Sequence, residues 1–139
     1  MNLLGRRVAR AFTRTVAETS PESDDPRLLG RTYAVPFETV WQAALRLAGG
    51  GLTGWRIRSS DDLAGIINAE SKSRLRRRVS DVKIRITLDA NAQTRIDARS
   101  ASREGRADLG ANARRLHRFF RALDDTIAGR RPGSAAART

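Results

Sequence analysis

The sequence predicts an α+β domain: a curved antiparallel sheet of about five strands, in the element order β-α-β-β-β-β-α, with two helices on one face. Three observations carry that reading. Alternation of period two recurs in several stretches after Gly54, while apolar residues at helical spacing flank those stretches on both sides. The joints between them are rich in Gly, Asp and Asn, which supply turn conformations.

Taken in order, Met1 to Val16 places Leu3, Leu4, Val8, Phe12 and Val16 near one helical face, with Arg6, Arg7, Arg10 and Arg14 mostly elsewhere. This is a short basic amphipathic leader, and its arginines interrupt the apolar run that a secretory signal needs. Glu18 to Pro26, polar and with two prolines, reads as a linker, so residues 1–29 are assigned to leader and linker and the folded domain to 30–128. Arg31 to Val35 is a short strand candidate. Pro36 then suits a helix start, Val40, Trp41, Ala44, Leu45 and Ala48 mark the buried face, and Gly49-Gly50-Gly51 ends the helix.

Gly54 to Ser60 and Leu63 to Glu70 form an expected hairpin across Asp61-Asp62. Val79 to Leu88 is the clearest strand, with Val82, Ile84, Ile86 and Leu88 inward and Asp81, Lys83, Arg85 and Thr87 outward. A turn centred near Asn91 sets Arg85 beside Asp97 and Lys83 beside Arg99 on the next strand, so an Arg85–Asp97 ion pair is expected. Arg56, Arg58, Arg95 and Arg99 join them on the outer face. Leu109, Ala113, Leu116, Phe120, Leu123 and Ile127 define the long last helix, and residues 129–139 read as a disordered tail.

At 139 residues and 40% hydrophobic, the chain suffices for one modest core. Its formal net charge of +12 attracts nucleic acid, an anionic lipid surface or an acidic partner without selecting among them, and nearly all of the positive charge is arginine. The densest run holds Arg74, Arg76, Arg77 and Arg78, either a solvated loop or a phosphate-binding one. No apolar run approaches the roughly 20 residues of a membrane span. With no cysteine and a single histidine, His117, neither a metal site nor a catalytic triad is expected, and no cofactor is assigned. The acidic pairs Asp24-Asp25, Asp61-Asp62 and Asp124-Asp125 fit turns and an exposed helix face better than catalysis.

The most informative stretch joins the last strand to the last helix. Ser100 and Ser102 fall on the inward face, Asp108 can cap the helix, and Asn112 and Arg115 lie near the same end. Two readings stay open: a structural latch that satisfies buried polar groups, or a small-anion site drawing on Arg99, Arg103, Arg106 and Arg115.

Arg99-Ser-Ala-Ser-Arg-Glu-Gly-Arg-Ala-Asp-Leu-Gly-Ala-Asn-Ala-Arg-Arg resembles the pattern R-S-x-S-R-x-G-x-x-D-x-G-x-N-x-x-R of the bacterial family of unknown function numbered 1499, which has plastid relatives. The likeness extends over roughly Gly30 to Ile127. Glu104 stands where the pattern has an apolar residue, and the Cys-Pro and Pro-Asn-Cys elements often found ahead of the domain are absent. The resemblance implies no activity. The expectation is therefore a non-enzymatic binding or scaffold domain with a polar strand–helix joint that is either a latch or a small-anion site. The chain is expected in the cytoplasm, and one alternative is a peripheral module on anionic membrane or nucleic acid through its Arg-rich segments. The other is an enzyme of unidentified reaction.

Overall fold

The computed structural model describes residues 16–73, 78–103 and 109–130. The amphipathic leader before Val16, the tail beyond Arg130, and Arg74, Arg76, Arg77, Arg106 and Asp108 lie outside the described residues.

Period-two patterning produces four long strands: β3 (Trp55–Asp61), β4 (Ile66–Lys72), β5 (Val79–Leu88) and β6 (Thr94–Ser102). Two short ones, β1 (Val16–Glu18) and β2 (Arg31–Tyr33), pair end to end along the same edge of β6. The sheet is antiparallel, in the order β1-β6-β5-β4-β3 with β2 beside β1 on β6. Helices α1 (Phe37–Arg46) and α2 (Leu109–Ile127) cover one face. Between them and the sheet lie Ile67, Val82, Ile84, Ile86 and Ile96 from the strands, and Val40, Leu116, Phe119, Phe120 and Leu123 from the helices, all essentially inaccessible to solvent.

The sixth strand corrects the reading of Glu18 to Pro26 as a linker. Val16 opposite Ala101 starts a ladder, and Thr19 extends it: its N–H donates to the Ala98 carbonyl at 2.9 Å and its hydroxyl to Asp97 Oδ1 at 2.7 Å. The polar, proline-bearing composition serves turns instead, as Asp25 accepts the Arg27 N–H at 2.9 Å and caps a short 3-10 turn at Pro26–Leu28.

Further along, α1 runs into a widened final turn, Leu47–Gly51, where Gly50 takes φ 124°, a conformation that favours glycine. The β3–β4 hairpin turns later than Asp61-Asp62 suggested. Asp61 Oδ1 accepts the N–H groups of Leu63 and Ala64, both at 3.1 Å, so residues 62–65 form the turn and β4 runs on to Lys72. Gly65 is required there, since at φ +71° a Cβ would stand 2.1 Å from the Ile86 carbonyl oxygen. A register shift between Ile57 and Ser59 makes Arg58 an extra residue in the edge strand β3, a device that discourages edge-to-edge pairing.

The last helix is tied to β2 through Asp124, and the acidic pair is not the exposed feature expected. Asp124 accepts from the Tyr33 hydroxyl at 2.5 Å and from Arg31 Nε at 3.2 Å, while Arg31 lies 5.4 Å over the Phe120 ring. Burial, reinforced by the bond to Asp124, holds the Tyr33 phenol well above its ordinary pKa. Asp125 is buried and meets Arg130 Nε at 3.3 Å. No helix of the described residues is long and apolar enough to cross a membrane.

Candidate functional site

Inward positions are apolar along most of the sheet but change character at one end. Ser71 of β4, Ser80 of β5 and Ser102 of β6 are consecutive register partners, with Ser100 two residues back on β6. This row of hydroxyls lies beneath the first turns of α2. Asn112, fully buried, accepts the Ser100 hydroxyl at Oδ1 (2.7 Å) and donates from Nδ2 to Ser102 Oγ (3.0 Å). Arg115 donates from Nη1 to Asn112 Oδ1 (2.6 Å) and Ser100 Oγ (3.1 Å), and from Nε to Ser71 Oγ (3.1 Å). Buried and half-buried hydroxyls, a buried amide and a half-buried guanidinium are thus turned toward one another, as polar groups withdrawn from water require.

Of the other residues expected at this joint, Arg106 and Asp108 lie outside the described residues, and Arg99 and Arg103 are elsewhere. Arg99 is exposed on the opposite sheet face. Arg103 reaches that face too, donating to Asp81 Oδ1 at 2.7 Å and Glu70 Oε1 at 2.9 Å. Strand alternation explains Arg99, since residues odd in number on β6 point away from the helices, and the Arg103 N–H, donating to the Val79 carbonyl at 3.2 Å, carries the alternation one residue past the end of β6. Of the arginine run, Arg78 is described: its N–H donates to Ser73 Oγ at 3.3 Å and its carbonyl accepts the Ser73 N–H at 2.9 Å, closing the base of the loop.

Beside this joint, between the β3–β4 end of the sheet and α2, opens a cleft of about 450 Å³. Lys72, Arg114, Arg115 and Arg118 supply its cations, Ser71 and Ser73 its hydroxyls, and Trp55 an aromatic wall; no carboxylate is among the described residues that line it. Lys72, Arg114 and Arg118 make no ion pair among the described residues. Ser71 could have been found by continuing the inward series Ile67, Ala69, and Ser80 by extending Val82, Ile84 backwards. Arg114 and Arg118 share a helix face at spacing four, a signal hidden by the even spread of arginine through the chain.

Asp97 is directly opposite Arg85, as the expected turn required, yet the ion pair is not made. Its carboxylate is taken by Arg95 Nη2 at 2.7 Å on the same strand and by the Thr19 hydroxyl at 2.7 Å. Arg95 reaches it from two residues along the same face, and the β1 edge adds a donor that the linker reading left out.

His117 sits at the margin of the α2 core face with its Nδ1 buried and without a hydrogen-bond partner among the described residues. Burial, followed by repulsion from Arg121, Arg31 and Arg27 and opposed by Asp25, lowers its pKa below the ordinary 6.5. Such a group protonates in the unfolded chain first, so the stability it contributes is present above pH 6.5 and is lost as pH falls through the folded-state value. The midpoint of thermal unfolding is expected to drop more between pH 7.5 and 5.5 in wild type than in His117→Gln. Parallel pH profiles would rule this out.

With fold and site in view, the class is a two-helix, single-sheet α+β domain with an arginine–asparagine–serine joint. The chain belongs to the family described as protein of unknown function (DUF1499), whose model matches residues 11–123. Comparison with curated proteins gives no match.

Proposed function

We propose that this domain is a non-enzymatic binding module and that its cleft, between β4 and the N-terminal half of α2, takes a small, multiply charged oxyanion. The observation that carries the reading is the lining: four cations and no carboxylate among the described residues. Arginine forks bind phosphate, sulfate and carboxylate oxygens through paired charge-assisted hydrogen bonds. Arg115 is held in place by Asn112, Ser100 and Ser71, so part of the ordering that binding demands is already made. In this reading the joint is the latch, and the anion sits next to it rather than within it.

Thermal shift across phosphate, sulfate, citrate and chloride at fixed ionic strength tests the proposal. Wild type is expected to gain stability saturably, about 2.7 kcal/mol at a hundredfold excess over Kd. Arg114→Ser/Arg118→Ser, both exposed positions, should keep the unliganded midpoint and lose the gain. A flat wild-type response overturns the proposal. Binding instead to duplex or single-stranded nucleic acid, with a steep salt dependence that persists in this double variant, would transfer the role to Arg74, Arg76, Arg77 and Arg78.

A further inference from the structure

The opposite face of the sheet carries a second concentration of positive charge with a different origin. Its strand carboxylates are engaged: Glu70 by Arg56 at 3.0 Å, Arg58 at 3.4 Å and Arg103 at 2.9 Å, Asp81 by Arg103 at 2.7 Å, and Asp97 by Arg95 at 2.7 Å. What this network leaves over is Lys83, Arg85 and Arg99, all exposed and without an ion pair among the described residues. Lys83 and Arg99 are direct cross-strand partners, and Arg85 follows Lys83 two residues along the same face.

Like charges directly opposite on a sheet are destabilising. Glu18 on β1 is the register partner of Arg99 on its other side, so one free carboxylate faces three free cations. Two hollows, of about 480 and about 280 Å³, open on this face and share Lys83 and Arg99 in their walls; the larger is also lined by Asp81, held by Arg103, and the smaller by Arg85, Glu18 and Asp97, the last held by Arg95. The larger also meets Ser59 and Asn68, whose side chains are bonded to each other at 3.1 Å.

We propose that Lys83, Arg85 and Arg99 form a second anion subsite, on the open sheet face, that takes a phosphate group. Three cations on neighbouring positions of two paired strands match the charge density of a phosphate better than that of a single carboxylate. No aromatic side chain stands among the outward-facing described residues of β3 to β6, so base stacking is not offered and nucleic acid is disfavoured. The phosphate then belongs to a small soluble compound or to a lipid headgroup. This subsite does not depend on the α2 cleft, since the sheet lies between them.

Pyrophosphate titration of isotope-labelled full-length protein, read by backbone amide resonances, tests the assignment. Amides of β5 and β6 around Lys83, Arg85 and Arg99 are expected to shift saturably. The apparent Kd at these amides should rise at least about tenfold in Lys83→Ser/Arg85→Ser/Arg99→Ser, the scale expected for losing charge-assisted hydrogen bonds. Arg114→Ser/Arg118→Ser should leave these shifts in place. A parallel arm measures cosedimentation with phosphatidylglycerol vesicles against phosphatidylcholine vesicles. Phosphatidylglycerol-selective binding that the triple variant loses would identify a headgroup source, whereas pyrophosphate shifts without vesicle binding would identify a soluble one. Unchanged pyrophosphate and vesicle binding in a folded triple variant, or no binding of either by wild type, overturns the proposal.

Discussion

Asn112→Ala is expected to lower the unfolding free energy by about 2 to 3 kcal/mol. The side chain removed is fully buried and is a centre of the joint, accepting from Ser100 and Arg115 and donating to Ser102. Alanine leaves the Ser100 hydroxyl and one Arg115 bond without this acceptor, in a place where the helix restricts water. The cost therefore comes mostly from stranded partners rather than from the lost bonds themselves. Asn112→Asp, which keeps an acceptor toward Ser100 and Arg115 but cannot donate to Ser102 when ionised, should lose less. Urea unfolding with an unchanged m value measures both. A loss below about 0.5 kcal/mol for the alanine variant would show that solvent replaces the amide and that the joint is not a latch.

The parts of this molecule most legible in the sequence are those where one periodicity dominates. Val82, Ile84 and Ile86 against Asp81, Lys83 and Arg85 dictate β5, and the polar turn after Leu88 then places Lys83 opposite Arg99 and Arg85 opposite Asp97. β1 was not legible, because three residues beside a polar, proline-bearing stretch carry too little pattern. Their place comes from the free edge of β6 and from Thr19, a long-range partner that local composition does not reveal. The joint was legible as a polar cluster through Ser100, Ser102, Asn112 and Arg115. Which arginines belonged to it was decided by strand alternation, which sends Arg99 and Arg103 to the other face. The Arg85–Asp97 pair failed for a related reason: register makes two residues neighbours, but a carboxylate goes to the best-placed donors, here Arg95 and Thr19.

Phe119→Ala should have the largest effect, about 3 to 5 kcal/mol, a substantial part of the 5 to 15 kcal/mol that holds an ordinary domain together. Phe119 is fully buried, stacked on Trp55 with centroids 5.6 Å apart and edge-on to Phe120 at 5.3 Å. Its ring joins the α2 core to β3, an edge strand of the sheet among the described residues. Removing it opens a cavity that neighbouring isoleucines and leucines, fixed in their own contacts, can fill only in part. Phe119→Leu keeps most of the volume and should cost about 1.5 kcal/mol or less, leaving a folded protein in which Trp55 has lost its stacking partner. That milder variant links packing to function, because Trp55 also forms the wall of the cationic cleft. Its tryptophan emission should shift to the red, and the saturable stabilisation by phosphate should weaken although every cation of the cleft is retained. Unchanged emission and unchanged phosphate response in Phe119→Leu would show that Trp55 is held by the strand alone.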